Sequence, residues 1–380
     1  MTPDTEAALA EAIKSASGPL AIEGGGTRGL QPRGERLSVA GLTGISLYEP
    51  GALTIVAQAG TPVTAINQAL AAENQRLAFE PMDHRKLLNT SGEPTIGGIV
   101  AANVSGPRRI QGGAARDYAL GVRFVDGTGA IVKNGGRVMK NVTGYDLVKL
   151  MSGAHGTLGV LTEVSLKVLP RPETQATLMI RGLDDAQAVR AMAAAMGSPF
   201  EITGAAHCAN IMEGGPVTVL RVEGFEASVS YRIDRLKDLL ADFDAEMTVG
   251  DAKMSDWLWQ SVRDVELWAD VPEDIWRISC KPTDAPALMR RSGAVAWYFD
   301  WGGGRIWMRM TQGADLRAAL GVFDGHATLV RAAAATRAAL PVFHPEAPGV
   351  ARLSEGLRAR FDPRGILNAG LMGPVAREVA

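Results

Sequence analysis

Between the strand-like run PLAIE (19–23) and the stretch LQPRGERLSVAGL (30–42) lies GGGTRG, which puts Gly24, Gly26 and Gly29 in the three glycine slots of a G-x-G-x-x-G pattern. That pattern binds a dinucleotide in a Rossmann unit only where a helix starts at the third glycine and turns its N-terminus on the pyrophosphate. Here Pro32 and Gly34 interrupt any first turn, and no apolar period near 3.6 residues follows. The run therefore argues against a nicotinamide-binding Rossmann unit. A plain turn and another kind of phosphate cradle both stay open.

Two further small-residue stretches share the same part of the chain. TIGGIVAANVSG (95–106) carries Gly97, Gly98, Ala101 and Ala102 and is too poor in large side chains for an ordinary core helix; GAHGTLG occupies 153–159. Glycine is costly inside regular elements, so its repeated use points to tight turns or to a backbone that approaches a ligand closely. Each stretch alone fits either a plain turn or a ligand loop. Together they favour a ligand, because successive N–H groups in such loops form anion nests, with hydroxyls of Thr27, Thr95, Ser105 and Thr157 within or beside them. A large diphosphate ligand gripped by several loops meets these conditions.

A chain of 380 residues exceeds what one core usually supports, so two domains are expected. The formal charge of −2 gives no electrostatic reason to expect nucleic acid or a polyanionic substrate. Two cysteines, Cys208 and Cys280, cannot build a disulfide framework and suit a reducing cytoplasm. No apolar run reaches the eighteen or so residues of a spanning helix, so any membrane contact is expected through a partner at the inner membrane.

The first domain is expected over 1–170 as an α+β unit. It opens with a helix capped by Asp4 or Thr5 and holds a helix capped by Thr61. A hairpin turns at Asp126-Gly127, and a half-buried strand alternates Val164, Leu166 and Val168 against Glu163, Ser165 and Lys167. PRPET (170–174) marks a boundary. From 171 to 340, strand-like runs alternate with helical ones, which predicts an α+β cap domain, an antiparallel sheet with helices on one face. The segment 341–380 differs again, with one helix over 349–361 and a tail bounded by proline and glycine.

LAIEGGGTRG, PTIGGIVAANVSG, GGRVMKNVTGYDLVKLMSGAHGTLGVLTEVSLKVLP and FDPRGILNAG occur in the order seen in the vanillyl-alcohol oxidase/PCMH-type FAD-binding flavoproteins, which the chain resembles. Within that group it is most similar to the FAD-binding subunits of bacterial glycolate oxidases, which are multi-subunit 2-hydroxy-acid dehydrogenases. The resemblance covers 15–170 strongly, the tail from about 341 well, and the cap only through YFDWGGGRIW. It implies a PCMH-type domain of two α+β subdomains, the cap, and a C-terminal segment that returns to the FAD domain.

Carried over by position, the resemblance implies that Gly24, Gly25, Gly26 and Thr27 wrap the FAD diphosphate. Thr95, Gly97, Gly98, Asn103, Ser105 and Gly106 would line the diphosphate and isoalloxazine. Gly153, Gly156, Thr157, Gly159 and Val160 would meet the adenosine part. Asn368 would lie near the flavin ring, although Ala369 stands where the family's tail has proline. His155 sits in the third loop rather than the first, which implies non-covalent FAD. Lys140, Asn141 and Tyr145 read either as flavin or substrate neighbours or, for Lys140 and Tyr145, as a surface residue and as packing for a short helix.

The five histidines, His84, His155, His207, His326 and His344, include no two within ten residues, so no sequence-local metal motif exists. Single-chain relatives carry an H-x-G-D-G-N-x-H cap motif, absent here; WGGGRIW stands in its place, and no catalytic residue is assigned. Arg305 reads as a carboxylate binder or a strand-end surface residue, and His344 as a structural histidine or, with Arg305, as part of a self-sufficient dehydrogenase site. Seven tryptophans concentrate in the cap, as core or as an interface.

Three functions compete. The first is an FAD-binding subunit of a glycolate oxidase complex turning glycolate into glyoxylate. A homologous larger FAD-binding subunit would oxidise the substrate, an iron–sulfur subunit would accept electrons, and this chain would relay electrons or support assembly. The second is a self-sufficient FAD-dependent dehydrogenase of small 2-hydroxy acids, D-lactate-like in type. The third is a non-catalytic structural subunit.

Overall fold

The computed structural model describes residues 1–137, 144–209 and 215–373, and the chain divides into two compact units. The first comprises Met1–Ser105, Gly113–Arg171 and Pro345–Ala380; the second comprises Gly106–Gly112 and Pro172–His344. Residues 106–112, read in sequence as part of the first domain, thus belong to the second unit. Arg108 holds them there through a bidentate ion pair with Glu223, Nε to Oε2 at 2.9 Å and Nη2 to Oε1 at 2.7 Å.

In the first unit a parallel pair, Leu20–Glu23 with Glu35–Ser38, packs on the helix Glu6–Ser15 around Leu9, Ile13, Leu20 and Leu37. Thr5 is the cap of that helix, its hydroxyl accepting from the Ala8 N–H. An antiparallel sheet runs Ile45–Glu49, Thr54–Gln58, Val160–Lys167, Ala119–Val125, Ile131–Gly135. Its third strand is central, so Thr162 and Ser165 are buried along with the apolar residues. The expected alternation holds for Val164, Leu166 and Val168 against Glu163 and Lys167; Ser165 departs from it and is buried. The hairpin turns where Asp126 Oδ1 accepts from the Thr128 and Ala130 amides, with Gly129 at φ +87°.

Two local expectations change for a tertiary reason. Thr61 does not cap the helix Val63–Ala72: its hydroxyl bonds Gly44, and the Val63 amide donates to the Pro94 carbonyl instead. Tyr145 does not pack the short helix Leu147–Met151. It is 88% exposed, and Asp146 caps that helix through the Lys149 amide. Lys140 and Asn141 lie outside the described residues.

The second unit is an eight-stranded antiparallel sheet. Its order is Met247–Gly250, Thr174–Arg181, Val217–Gly224, Gly204–Cys208, Ala296–Asp300, Arg305–Met310, Asp274–Cys280, Gly325–Arg331. Helices Asp185–Met196, Glu226–Leu239 and Ala285–Ser292 share one core with Leu178, Leu220, Phe299, Ile306 and Leu329 of the sheet. The expectation of helices on one face needs correction. Ala252–Asp264 covers the opposite face, where Trp259 Nε1 donates to Thr177 Oγ1 and its ring lies under the Arg221 guanidinium. Four tryptophans, Trp259, Trp268, Trp276 and Trp307, are fully buried, while Trp257 is exposed. Among the described residues, no helix is long and apolar enough to cross a membrane.

Candidate functional site

A crevice of about 370 Å³ opens in the first unit. Its wall includes Gly24, Gly25, Gly26 and Thr27 of the first loop, Thr95, Gly97 and Gly98 of the second, Gly156, Gly159 and Val160 of the third, and Asn368 of the tail. Five expected residues lie elsewhere. Asn103 and Ser105 tie their loop to the turn at 114–116, Asn103 Oδ1 accepting from the Arg116 amide and Ser105 Oγ from the Ala115 amide, each at 3.0 Å. Gly153 donates to the Val100 carbonyl, the Thr157 hydroxyl donates to the Ala154 carbonyl, and Gly106 belongs to the second unit.

The three glycine stretches turn out to do different things. In the strand before the first loop, alternate amides have acceptors: Leu20 donates to the Ile366 carbonyl at 2.7 Å and Ile22 to Asn368 Oδ1 at 2.7 Å. The series stops there. Among the described residues, the amides of Gly24, Gly25, Gly26 and Thr27 find no protein acceptor. Four consecutive open donors on a crevice wall form the kind of concavity that binds an anion. Gly26, at φ +68°, has open space where a side chain would begin.

The second loop offers no such run of open donors among the described residues. Thr95 caps the helix Ile96–Ala101 by accepting from Gly98, while Ile96 donates to the Thr61 carbonyl and Gly97 to the Ala59 carbonyl. Its glycines serve close packing: a Cβ on Gly97 would sit 2.6 Å from that of Ala59. The first two loops are pressed together in the same way, since a Cβ on Gly25 would fall 1.5 Å from the Glu93 carbonyl oxygen. Asn368, at φ +46° and buried, bridges the tail to the other loops; its Oδ1 takes the Ile22 amide and its Nδ2 donates to the His155 carbonyl at 2.8 Å. Both ends of its side chain are thereby committed.

The wall also contains residues that sequence reasoning passed over, among them His84, Met82 and the run Leu30–Pro32. The extended run after the loop was visible as a broken helix. Only the fold shows that it lines the crevice.

Arg305 is buried in the second unit rather than at a surface, with Nη1 3.8 Å from Asp300 Oδ2 and its guanidinium carbon 3.3 Å from the centre of the Trp301 ring. His344 has structural contacts: Nδ1 accepts from the Ala327 amide at 3.3 Å and the ring meets Phe323 edge-on. Burial pushes the Cys208 thiol up to about 12, and Cys280 likewise, which disfavours the thiolate in both. Among the described residues, no group of three or more His, Cys, Asp or Glu side chains is arranged to hold a metal ion.

The family described as FAD binding domain matches residues 1–135. Over 377 residues the chain is 34% identical to glycolate oxidase subunit GlcE of Escherichia coli K12, covering 97% of both chains. It is 37% identical over 127 residues to glycolate oxidase subunit GlcD of Bacillus subtilis, which covers 33% of this chain and 26% of that one. Among solved structures it is similar to an alkyldihydroxyacetonephosphate synthase, with a TM-score of 0.69 at 15% identity over 97% of this chain and 75% of the other. Fold and crevice thus define an α+β, PCMH-type FAD-binding flavoprotein, an FAD-linked oxidoreductase. The chain belongs to the family of the glycolate oxidase subunit GlcE.

Proposed function

We propose that this chain is the FAD-binding subunit of a complex that oxidises glycolate to glyoxylate. The single observation behind the cofactor assignment is the run of open amides at Gly24–Thr27, which fits a diphosphate without a Rossmann helix. These four N–H groups would hold the two phosphates. Gly156 and Val160 would border the adenosine side, and Asn368 would keep the strand Leu20–Glu23 fastened to the third loop. FAD, when bound, would supply acceptance of the α-hydrogen of a 2-hydroxy acid as hydride.

The cofactor is held non-covalently in this reading. His84 and His155 both border the crevice, so the point is decided by acid precipitation. FAD released wholly into the supernatant fits the reading; flavin retained on the pellet defeats it. GlcE and GlcD are both named as glycolate oxidase subunits, which supports a multi-subunit assembly containing a homologous larger FAD-binding subunit. We include an iron–sulfur subunit as electron acceptor. Affinity purification of the tagged chain should bring both partners down, and glycolate should bleach the flavin of the assembly. A chain that purifies without flavin, or an assembly inert to glycolate, ends the proposal.

The cap's half-buried Arg277 favours a second reading, in which this chain oxidises the hydroxy acid by itself. Glycolate-dependent dye reduction by the isolated holoprotein, at a rate matching the complex, would select it.

A further inference from the structure

The face of the eight-stranded sheet opposite its main core carries a concentration of cationic side chains. Across the antiparallel register Arg277 pairs with Trp307 and with Thr328, while Ser279 pairs with Arg305 and with His326. Residues two apart on a strand share a face, so Arg277, Arg305 and His326 emerge together, on the side away from Trp276, Ile278, Ile306 and Ala327. Arg109, from the segment Gly106–Gly112, comes to the same place: its guanidinium carbon lies 4.6 Å from the Trp301 ring centre, the ring that Arg305 also covers.

This arrangement is held firmly. Trp301 adopts φ +55°, a conformation costly for a non-glycine residue, and its amide is bonded to Asp300 Oδ1 at 2.7 Å. Its indole N–H donates to the Gly106 carbonyl at 3.0 Å. Two glycines at positive φ, Gly302 and Gly303, follow, and a Cβ at Gly302 would lie 2.2 Å from Met196 Cε. The WGGG turn is therefore shaped to present one indole to two guanidinium groups.

Arg277 differs from its neighbours. Among the described residues its guanidinium makes no hydrogen bond and no ion pair, although the side chain is half-buried. Burial, aided by the charge of Arg109, pulls it down to about 10. His326 is exposed at its outer edge, yet partial desolvation of its ring, with the charges of Arg277, His344 and Arg109, lowers it and favours the neutral form. Asp300, with Oδ2 3.8 Å from Arg305 Nη1, offsets one of these charges, which leaves Arg277 as the cation that a further anion would stabilise, and a planar guanidinium fork matches a carboxylate.

We propose that Arg277, flanked by Arg109, Arg305 and His326, forms a carboxylate-binding site on the cap that takes a small 2-hydroxy acid. The Arg277 fork receives the carboxylate, and a ring nitrogen of neutral His326 accepts a hydrogen bond from the hydroxyl. The proposal rests on the reading as a glycolate-oxidising subunit and extends it by giving this chain its own contact with the acid.

The test is calorimetric titration of the full-length holoprotein with glycolate, and with ethylene glycol as an uncharged analogue of the same size. Glycolate should bind saturably and ethylene glycol should not. Arg277→Gln should weaken glycolate at least about tenfold, with FAD content unchanged and Arg277→Lys partly restoring affinity. In NMR titrations, glycolate should raise the pKa of His326, a response that a purely structural arginine would not produce. Unchanged glycolate affinity in Arg277→Gln, or no saturable carboxylate binding to the unsubstituted chain, overturns the site. Two results separate the two readings. If the complex oxidises glycolate with the same kcat/KM when it carries Arg277→Gln, the site falls and the glycolate reading stands; if D-lactate binds through Arg277 and glycolate does not, the site stands and the glycolate reading falls.

Discussion

The wall at Gly24–Thr27 and the cationic face around Arg277 are both suited to anions, yet they are made in opposite ways. The first uses the main chain alone: four neighbouring amides left open, three of them on glycines and the fourth on Thr27. The second uses long side chains from residues 109, 277, 305 and 326, brought together by sheet register and by one borrowed segment. A backbone site is contiguous in sequence and tolerates little change in shape. A side-chain site is scattered along the sequence, and single substitutions can remove it while the fold remains.

The comparison breaks first at Gly25. Gly25→Ala places a Cβ against the Glu93 carbonyl, so the two loops must part; the purified protein should lose its FAD and at least about 2 kcal/mol of stability. Gly136→Ala, with open space around the new methyl, serves as the control and should keep both. Absorbance at 450 nm and urea unfolding read the two effects. A yellow, stable Gly25→Ala protein would show that the first wall is less rigid than its contacts imply.

Next comes Asn368. Its replacement by alanine strands the Ile22 amide and the His155 carbonyl, which should cost about 2 kcal/mol and weaken flavin retention on dialysis. For the other site the sign reverses. Arg277→Gln removes a desolvated charge beside other cations, so stability in urea should hold or rise by up to about 1 kcal/mol. A marked fall would mean that the guanidinium supports the fold, not a ligand.

The smallest effect concerns a satisfied ion pair, the counterpart of Arg277. Burial alone would raise Glu6, but bonds from Arg123 and Thr162 outweigh it and leave the carboxyl below its usual value of 4.5. A lowered carboxylate contributes stability that is complete above the unfolded value and fades as pH falls through the folded one. Glu6→Gln should therefore destabilise by about 0.5 kcal/mol at pH 7, with the difference vanishing in acid. Equal loss at pH 7 and pH 3 would refute that origin.

Residue order alone located the crevice but misjudged which parts of it are chemically available. All three glycine stretches looked like nests, because the residue type signals a permissive backbone and cannot say where an acceptor will stand. In the structure Ala59, Thr61 and Thr95 accept from the second loop, while no acceptor in the described chain reaches the amides of Gly24–Thr27 in the first. Thr61 misled for the same reason: it has the side chain of a cap, but Gly44 and Pro94 settle the bonding. In the cap, strand periodicity was legible, whereas the second covering helix at Ala252–Asp264 was not, since its partner face is defined only by strand parity across the sheet.

Neighbouring residues were enough to settle the lack of a Rossmann helix, the tight glycine loops, the alternating elements of the cap and the family resemblance. Packing had to settle that Gly24–Thr27 keep open amides and that Arg109, Arg277, Arg305 and His326 meet. A local pattern governs which way a backbone can turn. The acceptors and charges that a turned backbone encounters come from segments distant along the chain, and only close packing and strand register bring those segments within reach.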